Sequence, residues 1–313
     1  MEFVGSIKLP FTIEKTQARM QKYLPFRDYF APRTQEEALQ LVREQGPAGR
    51  VLAGGTDLLI AMREKGLHAE CLINIKRIAD LGGIGSLPDG GLRIGATTTL
   101  YEVETSAAVR RASSVLSEAA GTIGSVQIRN LGTIGGNVAN ASPAADTTPA
   151  LLVLDAEMEI LSASGTRIVA AERFFTGPGK TVMEQGEILA AIRIPPSAPG
   201  TRTAYIKFGP RQAMDIAVVG VAVALKLDGD GSCRDARVAL GAVAPTPMRA
   251  RRAEVALIGA IDERSVEKAA EEACGEAKPI SDVRASGSYR RHLVGILLKR
   301  AVKLALAREH AAA

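Results

Sequence analysis

Two glycine-rich turns about eighty residues apart, Val51-Leu52-Ala53-Gly54-Gly55-Thr56-Asp57 and Thr133-Ile134-Gly135-Gly136-Asn137, constrain this chain more than any other feature. Each places a Gly pair after an apolar or β-branched run, where a side chain would block close approach, and continues into small polar residues and a hydrophobic stretch. Backbone N–H groups are aimed at an anion in this way. The pair predicts one dinucleotide gripped from two sides. Neither turn is of the Rossmann kind, which needs Gly-x-Gly-x-x-Gly at a strand-helix junction and an acidic residue about twenty positions on. Gly82-Gly83-Ile84-Gly85 comes nearest and has no strongly apolar helix after it. A lone Gly-Gly-Thr turn reads as architecture; two with matching polar company carry the prediction.

Local signals place the cradles. Thr34-Gln35-Glu36-Glu37 reads as a capping box before the stripe Ala38, Leu39, Leu41 and Val42, and this helix stops at Gly46-Pro47. Arg50 to Ala53 is then a short buried strand, and Leu58 to Arg63 a helix leaving the first cradle. Strands are expected at Cys71–Ile75 and Leu92–Ala96, helices at Thr99–Arg111 and Ser114–Thr122, and a buried helix in Pro149–Leu154. Glu157–Ser162 and Arg167–Ala170 form a hairpin through Ser164-Gly165, and Glu187–Ile194 is a strand closed by Pro195-Pro196. A boundary in Pro195–Gly200 divides an N-terminal arm (1–24) and a binding domain (25–199, subdomains about 25–80 and 81–199) from a C-terminal domain (200–313). In the last, strands near Ala204–Phe208, Ala217–Leu227 and Arg237–Val243 make a small antiparallel sheet with helices on one side.

At 313 residues and 46% hydrophobic, the chain is long enough for two or three cores. No run approaches the roughly 18 to 20 apolar residues of a membrane helix, and no apolar signal core opens the chain, so it reads as cytoplasmic. Cys71, Cys233 and Cys274 lack C-x-x-C spacing, which argues against a disulfide framework and a cysteine-ligated cluster in this chain. The net charge of +5 comes without aromatic-interleaved basic motifs, so no nucleic-acid partner is implied. Ala285–Ala313 holds six Lys or Arg against one Glu, and Leu293, Leu297, Ala301 and Leu304 recur at helical spacing. That segment is a terminal helix with a basic face, solvated or docked on a partner.

The same residues resemble a known family. Gly54-Gly55-Thr56-Asp57 with Leu58-Leu59, then Thr133-Ile134-Gly135-Gly136-Asn137 with Ser142-Pro143 and Asp146, are similar to the flavin-binding subunit of the molybdenum hydroxylases, which include xanthine dehydrogenase, carbon monoxide dehydrogenase and 4-hydroxybenzoyl-CoA reductase. The likeness runs on through Glu187-Ile188-Leu189, Lys207 with Asp215-Ile216-Ala217, Gly241 to Pro247, and Tyr289-Arg290-Arg291.

The resemblance implies an α+β chain. It would have the two-subdomain FAD-binding fold of the molybdenum hydroxylase and vanillyl-alcohol-oxidase type, followed by a C-terminal α+β domain that helps cover the flavin. It assigns FAD contacts to Ala53, Gly54, Gly55, Thr56, Asp57 and Leu58 at the pyrophosphate, and to Thr133, Ile134, Gly135, Gly136, Asn137 and Asn140 opposite. Asp146, Leu189 and Lys207 would line the remainder, with Asp215 and Ile216 on a loop facing the isoalloxazine ring. Read without it, Asp146 is a helix N-cap and Lys207 a surface charge on an edge strand. The first cradle carries no His or Cys, so noncovalent FAD is expected, and Asn137 runs to Asp146 with no cysteine insertion for an extra iron-sulfur cluster.

The implied partners are a large subunit with the molybdenum cofactor and a small subunit with 2Fe-2S clusters, in a dimer of heterotrimers that passes electrons to NAD, a quinone or another acceptor. The alternative is a self-sufficient FAD-dependent reductase or oxidase of the same fold. It would need its own acid or base, for which Tyr205 and Glu187 are the nearest candidates, and both read as strand residues.

Overall fold

A computed structural model describes residues 26–211 and 213–308; the proposed arm at 1–24 lies outside them. Strands β1 (Asp28–Phe30), β2 (Gly49–Leu52) and β3 (Cys71–Asn74) form a parallel sheet in the order β1-β3-β2. The side-chain period of two sorts β3 between two cores. Cys71 and Ile73 pack with Ala38 and Val42 of the helix Gln35–Gln45, whereas Leu72 packs with Met62, Leu58 and Leu59 of the helix Leu58–Glu64.

Thr34 caps the first of these helices by accepting from Glu37 N at 3.2 Å, but Glu37 accepts from Arg33 N, so the predicted capping box is not closed. Capping boxes occur instead at Thr99 with Glu102 and at Asp262 with Ser265. Strand β2 is an edge strand with Arg50 and Val51 exposed, not the buried strand its apolar run implied. The expected helix over Thr99–Arg111 is two, Leu100–Thr105 and Ala107–Ala112, because Ser106 ends one and caps the next.

The second sheet is antiparallel. It comprises β4 (Ile84–Ser86), β5 (Leu92–Gly95), β6 (Glu157–Ser162) and β7 (Gly165–Ala170), beyond which β8 (Phe175–Gly177) and β9 (Lys180–Thr181) pair separately, and then β10 (Ile188–Ile194). The order β4-β5-β10-β6-β7 puts β10 at the centre. Its Ile188 and Ala190 enter the core of the parallel sheet, and Leu189, Ile192 and Ile194 enter the core built on the helices Ser114–Gly121 and Thr147–Val153. One strand thus contributes to the cores of both sheets.

Strands β11 (Thr201–Phe208), β12 (Val219–Leu227), β13 (Cys233–Gly241) and β14 (Met248–Arg249) form the third sheet, also antiparallel. Alternation along β12 explains its unbroken apolar run. Val219, Val221, Val223 and Leu225 face the helices Glu263–Glu276 and Gly287–Ala307, while Ala222 and Ala224 join the core of the second sheet. In the last helix Leu293, Leu297 and Ala301 are buried as the spacing predicts, but Leu304 is exposed and Arg290, counted among the basic face, is buried.

Candidate functional site

A cleft of about 720 Å³ is lined from β2 of the parallel sheet, β10 of the antiparallel sheet and the chain between β11 and β12, and both glycine turns line it. The first, Ala53 to Leu58, joins the end of β2 to the helix Leu58–Glu64. Gly55 has φ of 73°, in the left-handed region that glycine enters without strain. Gly54 is fixed by packing: a Cβ there would lie 2.6 Å from Gly132 Cα. The N–H groups of Gly54, Gly55, Thr56 and Asp57 find no hydrogen-bond acceptor among the described residues. Four successive unpaired donors at a cleft surface are the arrangement an anion-binding nest requires.

The second turn is built differently. Thr133 caps the helix Ile134–Ala139, its Oγ1 accepting from Gly136 N at 3.0 Å. Ile134 N donates to Thr98 O, Gly135 N to Ala96 O and Asn137 N to Thr133 O. The expectation that this turn also aims N–H groups at an anion is therefore corrected, since the protein consumes them. Ile134 is fully buried and does not line the cleft. Gly135 is demanded by backbone crowding, with Ala96 O at 2.6 Å from any Cβ, whereas at Gly136 only Thr133 Oγ1 lies near, at 3.0 Å. Gly136 is thus the open position. Asn137 accepts from Thr147 Oγ1 at 2.6 Å, and its amide nitrogen donates to no described residue; Asn140 lines the same wall.

Asp146 makes no side-chain cap to the helix Thr147–Val153. Its Oδ1 accepts from Tyr205 Oη at 2.8 Å and its Oδ2 from Lys207 Nζ at 2.8 Å, and Nζ donates also to Thr122 O at 3.0 Å. The side chains of Lys207 and Asp146 are 11% and 8% exposed, so Lys207 is no surface charge although β11 is an edge strand. Burial raises the Asp146 pKa, with Lys207 pulling it back, and burial with the neighbouring Asp146 carboxylate holds the Tyr205 phenol well above its usual range. Lys207 stands behind Asp146, on an adjoining cavity of about 350 Å³ that also touches Phe208, Arg211 and Asp215.

Leu189 lines the cleft from β10, beside the bulge between Leu189 and Ala191. After β11, Met214, Asp215 and Ile216 reach the cleft from the side of the C-terminal sheet. Asp215 organises this segment by accepting from Arg211 N at 2.8 Å and Ile216 N at 3.1 Å, and Met214, at φ 57°, donates its N–H to Gly124 O at 3.2 Å. Ile216 is 59% exposed at the rim.

The structure also brings Ile123, Gly124, Met183 and Met214 to the cleft. They stand on irregular chain, where no periodicity marks a wall. Glu187 lines it too, with its carboxylate taken by Arg167 at 2.7 Å to each oxygen; the Arg167 hydrogen bonds hold its pKa below the ordinary range. Among the described residues neither His nor Cys lines the cleft, and no cluster is able to hold a metal ion. No helix of the described residues is long and apolar enough to cross a membrane.

A cleft between a parallel and an antiparallel sheet, with a row of unpaired N–H groups at a glycine turn, is the site of a non-Rossmann protein suited to a phosphate-bearing ligand. Comparison with known proteins makes this specific. Residues 21–197 match the FAD binding domain in molybdopterin dehydrogenase, and residues 204–305 the CO dehydrogenase flavoprotein C-terminal domain. The xanthine dehydrogenase FAD-binding subunit of Escherichia coli is 36% identical over 284 residues, covering 90% of this chain and 97% of its own. The carbon monoxide dehydrogenase medium chain of Hydrogenophaga pseudoflava is 35% identical, covering 91% and 98%. Among solved structures, a Cu,Mo-CO dehydrogenase chain superposes with a TM-score of 0.88 at 36% identity, covering 91% of this chain and 99% of that one. Quinoline 2-oxidoreductase from Pseudomonas putida gives 0.85 at 31%, covering 90% and 98%. The chain belongs to the family of FAD-binding subunits of molybdenum hydroxylases and is an oxidoreductase component.

Proposed function

We propose that the chain holds FAD noncovalently in this cleft and carries electrons between iron-sulfur clusters of a small partner subunit and an external acceptor such as NAD or a quinone, while a molybdenum-bearing large subunit handles the organic substrate. The observation that carries the reading is the row of unpaired N–H groups at Gly54 to Asp57 facing a cleft whose other wall offers the Asn137 side-chain amide and, at Gly136, room for close approach but no free N–H. These donors match the oxygens of a pyrophosphate. Ala53 and Leu58 flank them. Thr133, Gly135 and Asn140 shape the facing wall, Asp146 supplies a carboxylate held in place by Lys207 and Tyr205, and Leu189, Asp215 and Ile216 close the remainder.

FAD exchanges electrons singly or in pairs, so it links one-electron carriers to two-electron acceptors. The protein's own part is to bind and orient. Tyr205 and Glu187, the groups a self-sufficient reductase or oxidase would use, are tied to Asp146 and Arg167, which supports the subunit reading. The absence of His and Cys from the lining supports noncovalent binding. A dimer of heterotrimers in the cytoplasm is the assembly we propose.

Co-purification of the tagged chain from its host, with the visible spectrum and metal content of the isolate, tests this. Releasable flavin together with a molybdenum subunit and an iron-sulfur subunit is the expected result. A colourless chain that ignores added FAD would remove the reading, and a yellow chain that oxidises substrates alone would replace it with the self-sufficient enzyme.

A further inference from the structure

The guanidinium of Arg290 is among the most buried polar groups of the described residues, 1% exposed, near the start of the helix Gly287–Ala307. Its Nη1 donates to two main-chain carbonyls from different strand connections, Val218 O at 2.9 Å and Ala242 O at 3.2 Å. Its Nη2 donates to Asp282 Oδ1 at 2.6 Å. The other oxygen of Asp282 takes Arg284 Nη2 at 2.6 Å, and Arg284 Nη1 reaches Ala217 O at 3.2 Å. One carboxylate thus holds two arginines, and the two arginines hold three carbonyls.

Those carbonyls belong to the two places where the C-terminal domain meets the cleft. Ala217 and Val218 directly follow Asp215 and Ile216, and Val218 N closes the loop's base on Phe208 O at 2.8 Å. Ala242, held at φ 63°, donates its N–H to Pro143 O at 2.7 Å, in the turn that delivers Ala144, Ala145 and Asp146 to the cleft wall. Burying a guanidinium is costly, and an apolar side chain of similar volume would serve packing at least as well. A planar fork holds one nitrogen on both carbonyls while its second is fixed by a carboxylate, which ties two separate loops to one anchor.

We infer that Arg290, locked by Asp282 and assisted by Arg284, is a positioning residue for the cofactor cleft: it fixes the Asp215-Ile216 loop and the Pro143–Asp146 turn against each other. The inference rests on the reading of the cleft as an FAD site. Arg284 holds the Asp282 carboxyl far below the usual carboxylate range, so the lock stays ionised throughout the working range of pH.

The clamp touches only segments away from the Gly54–Asp57 nest, and this makes it separable. Full-length protein carrying Asp282→Asn, which keeps shape and removes charge, is titrated with FAD and with ADP, whose pyrophosphate probes the nest alone. Loss of a charge-assisted hydrogen bond is expected to weaken FAD by about tenfold and to reduce the visible circular dichroism of bound flavin, with ADP affinity unchanged. Arg290→Lys, a point donor with no second nitrogen to take Asp282 while the first serves the two carbonyls, is expected to fall with Asp282→Asn rather than rescue the site. If Asp282→Asn does not fold, Arg284→Ala, which frees the Ala217 carbonyl and Oδ2 of Asp282 but leaves Arg290 on Oδ1 and on its two carbonyls, is expected to weaken FAD by about threefold.

Equal loss of FAD and ADP would make the clamp a general support and overturn the inference, as would unchanged FAD affinity in the folded variants. Wild-type protein that binds ADP without FAD, or neither, would overturn the cofactor reading itself.

Discussion

Lys207→Met isolates the electrostatics of the cleft wall. The substitution keeps an unbranched apolar stem and removes the ammonium, leaving Asp146 buried with Tyr205 as its remaining side-chain donor. Removing one partner of a buried pair costs about 3 to 5 kcal/mol. Asp146 and Lys207 are both nearly inaccessible, so solvent screening gives little relief. Asp146 lowers the cost by taking up a proton, which its burial already favours. We therefore expect the lower end, about 3 kcal/mol near neutral pH.

The sign of its pH dependence follows. In the variant the folded-state pKa of Asp146 lies above the unfolded value of about 3.9. The penalty is then present where the pH exceeds the folded pKa and fades as pH falls towards the unfolded one, because the native carboxyl is protonated there. Urea unfolding of flavin-free wild type and variant, at neutral pH and at about pH 5, measures the gap directly. A gap below about 1 kcal/mol, the worth of an exposed pair, or one unchanged by acidification, would refute the argument that the pair is buried and mutually dependent.

Three more outcomes are expected. Gly54→Ala drives a methyl to 2.6 Å from Gly132 Cα, where only main chain is available to yield, and should cost about 1 to 3 kcal/mol by thermal melting. Gly136→Ala meets only Thr133 Oγ1; melting should move by less than about 0.5 kcal/mol while flavin content falls, and normal flavin content would remove Gly136 from the site. Glu187→Gln loses an ionised partner of Arg167. Because the Glu187 pKa is lowered in the fold, the wild-type advantage should be complete above the unfolded Glu value of about 4.3 and vanish as pH falls through the folded one; a gap that widens in acid would contradict this.

The legible parts of this chain are those governed by local rules. The strand, glycine turn and helix of the first cradle, the hairpin through Ser164-Gly165 and the apolar stripe ending at Gly46 each follow from side-chain period and turn chemistry within a few residues. What eluded the sequence was set by distant neighbours. Ile134 reads as part of a cradle, yet Thr98 and Ala96, on chain about forty residues earlier, claim the N–H groups of Ile134 and Gly135. Asp146 reads as a cap because it precedes a helix, and only the pairing of β11 with β12 brings Tyr205 and Lys207 to it. Arg290 reads as one more charge on a basic helix, since the carbonyls that receive it come from strand ends about fifty and seventy residues away. Short strands such as β1 and β4 carry too few residues for a period to register.

The contact of Gly54 with Leu131 and Gly132 bears on what variation this cleft tolerates. Where main chain touches main chain, the gap between opposing walls is a property of the backbone trace and has no rotamer to adjust it. Exchanges of lining side chains such as Val51, Leu58 or Ile128 are expected to alter wetting and polarity without moving that contact. A single added methyl at Gly54 reaches what those exchanges do not, because it pushes on the floor itself. The cleft therefore has a gauge, set by two glycines, that is independent of the chemistry painted on its walls.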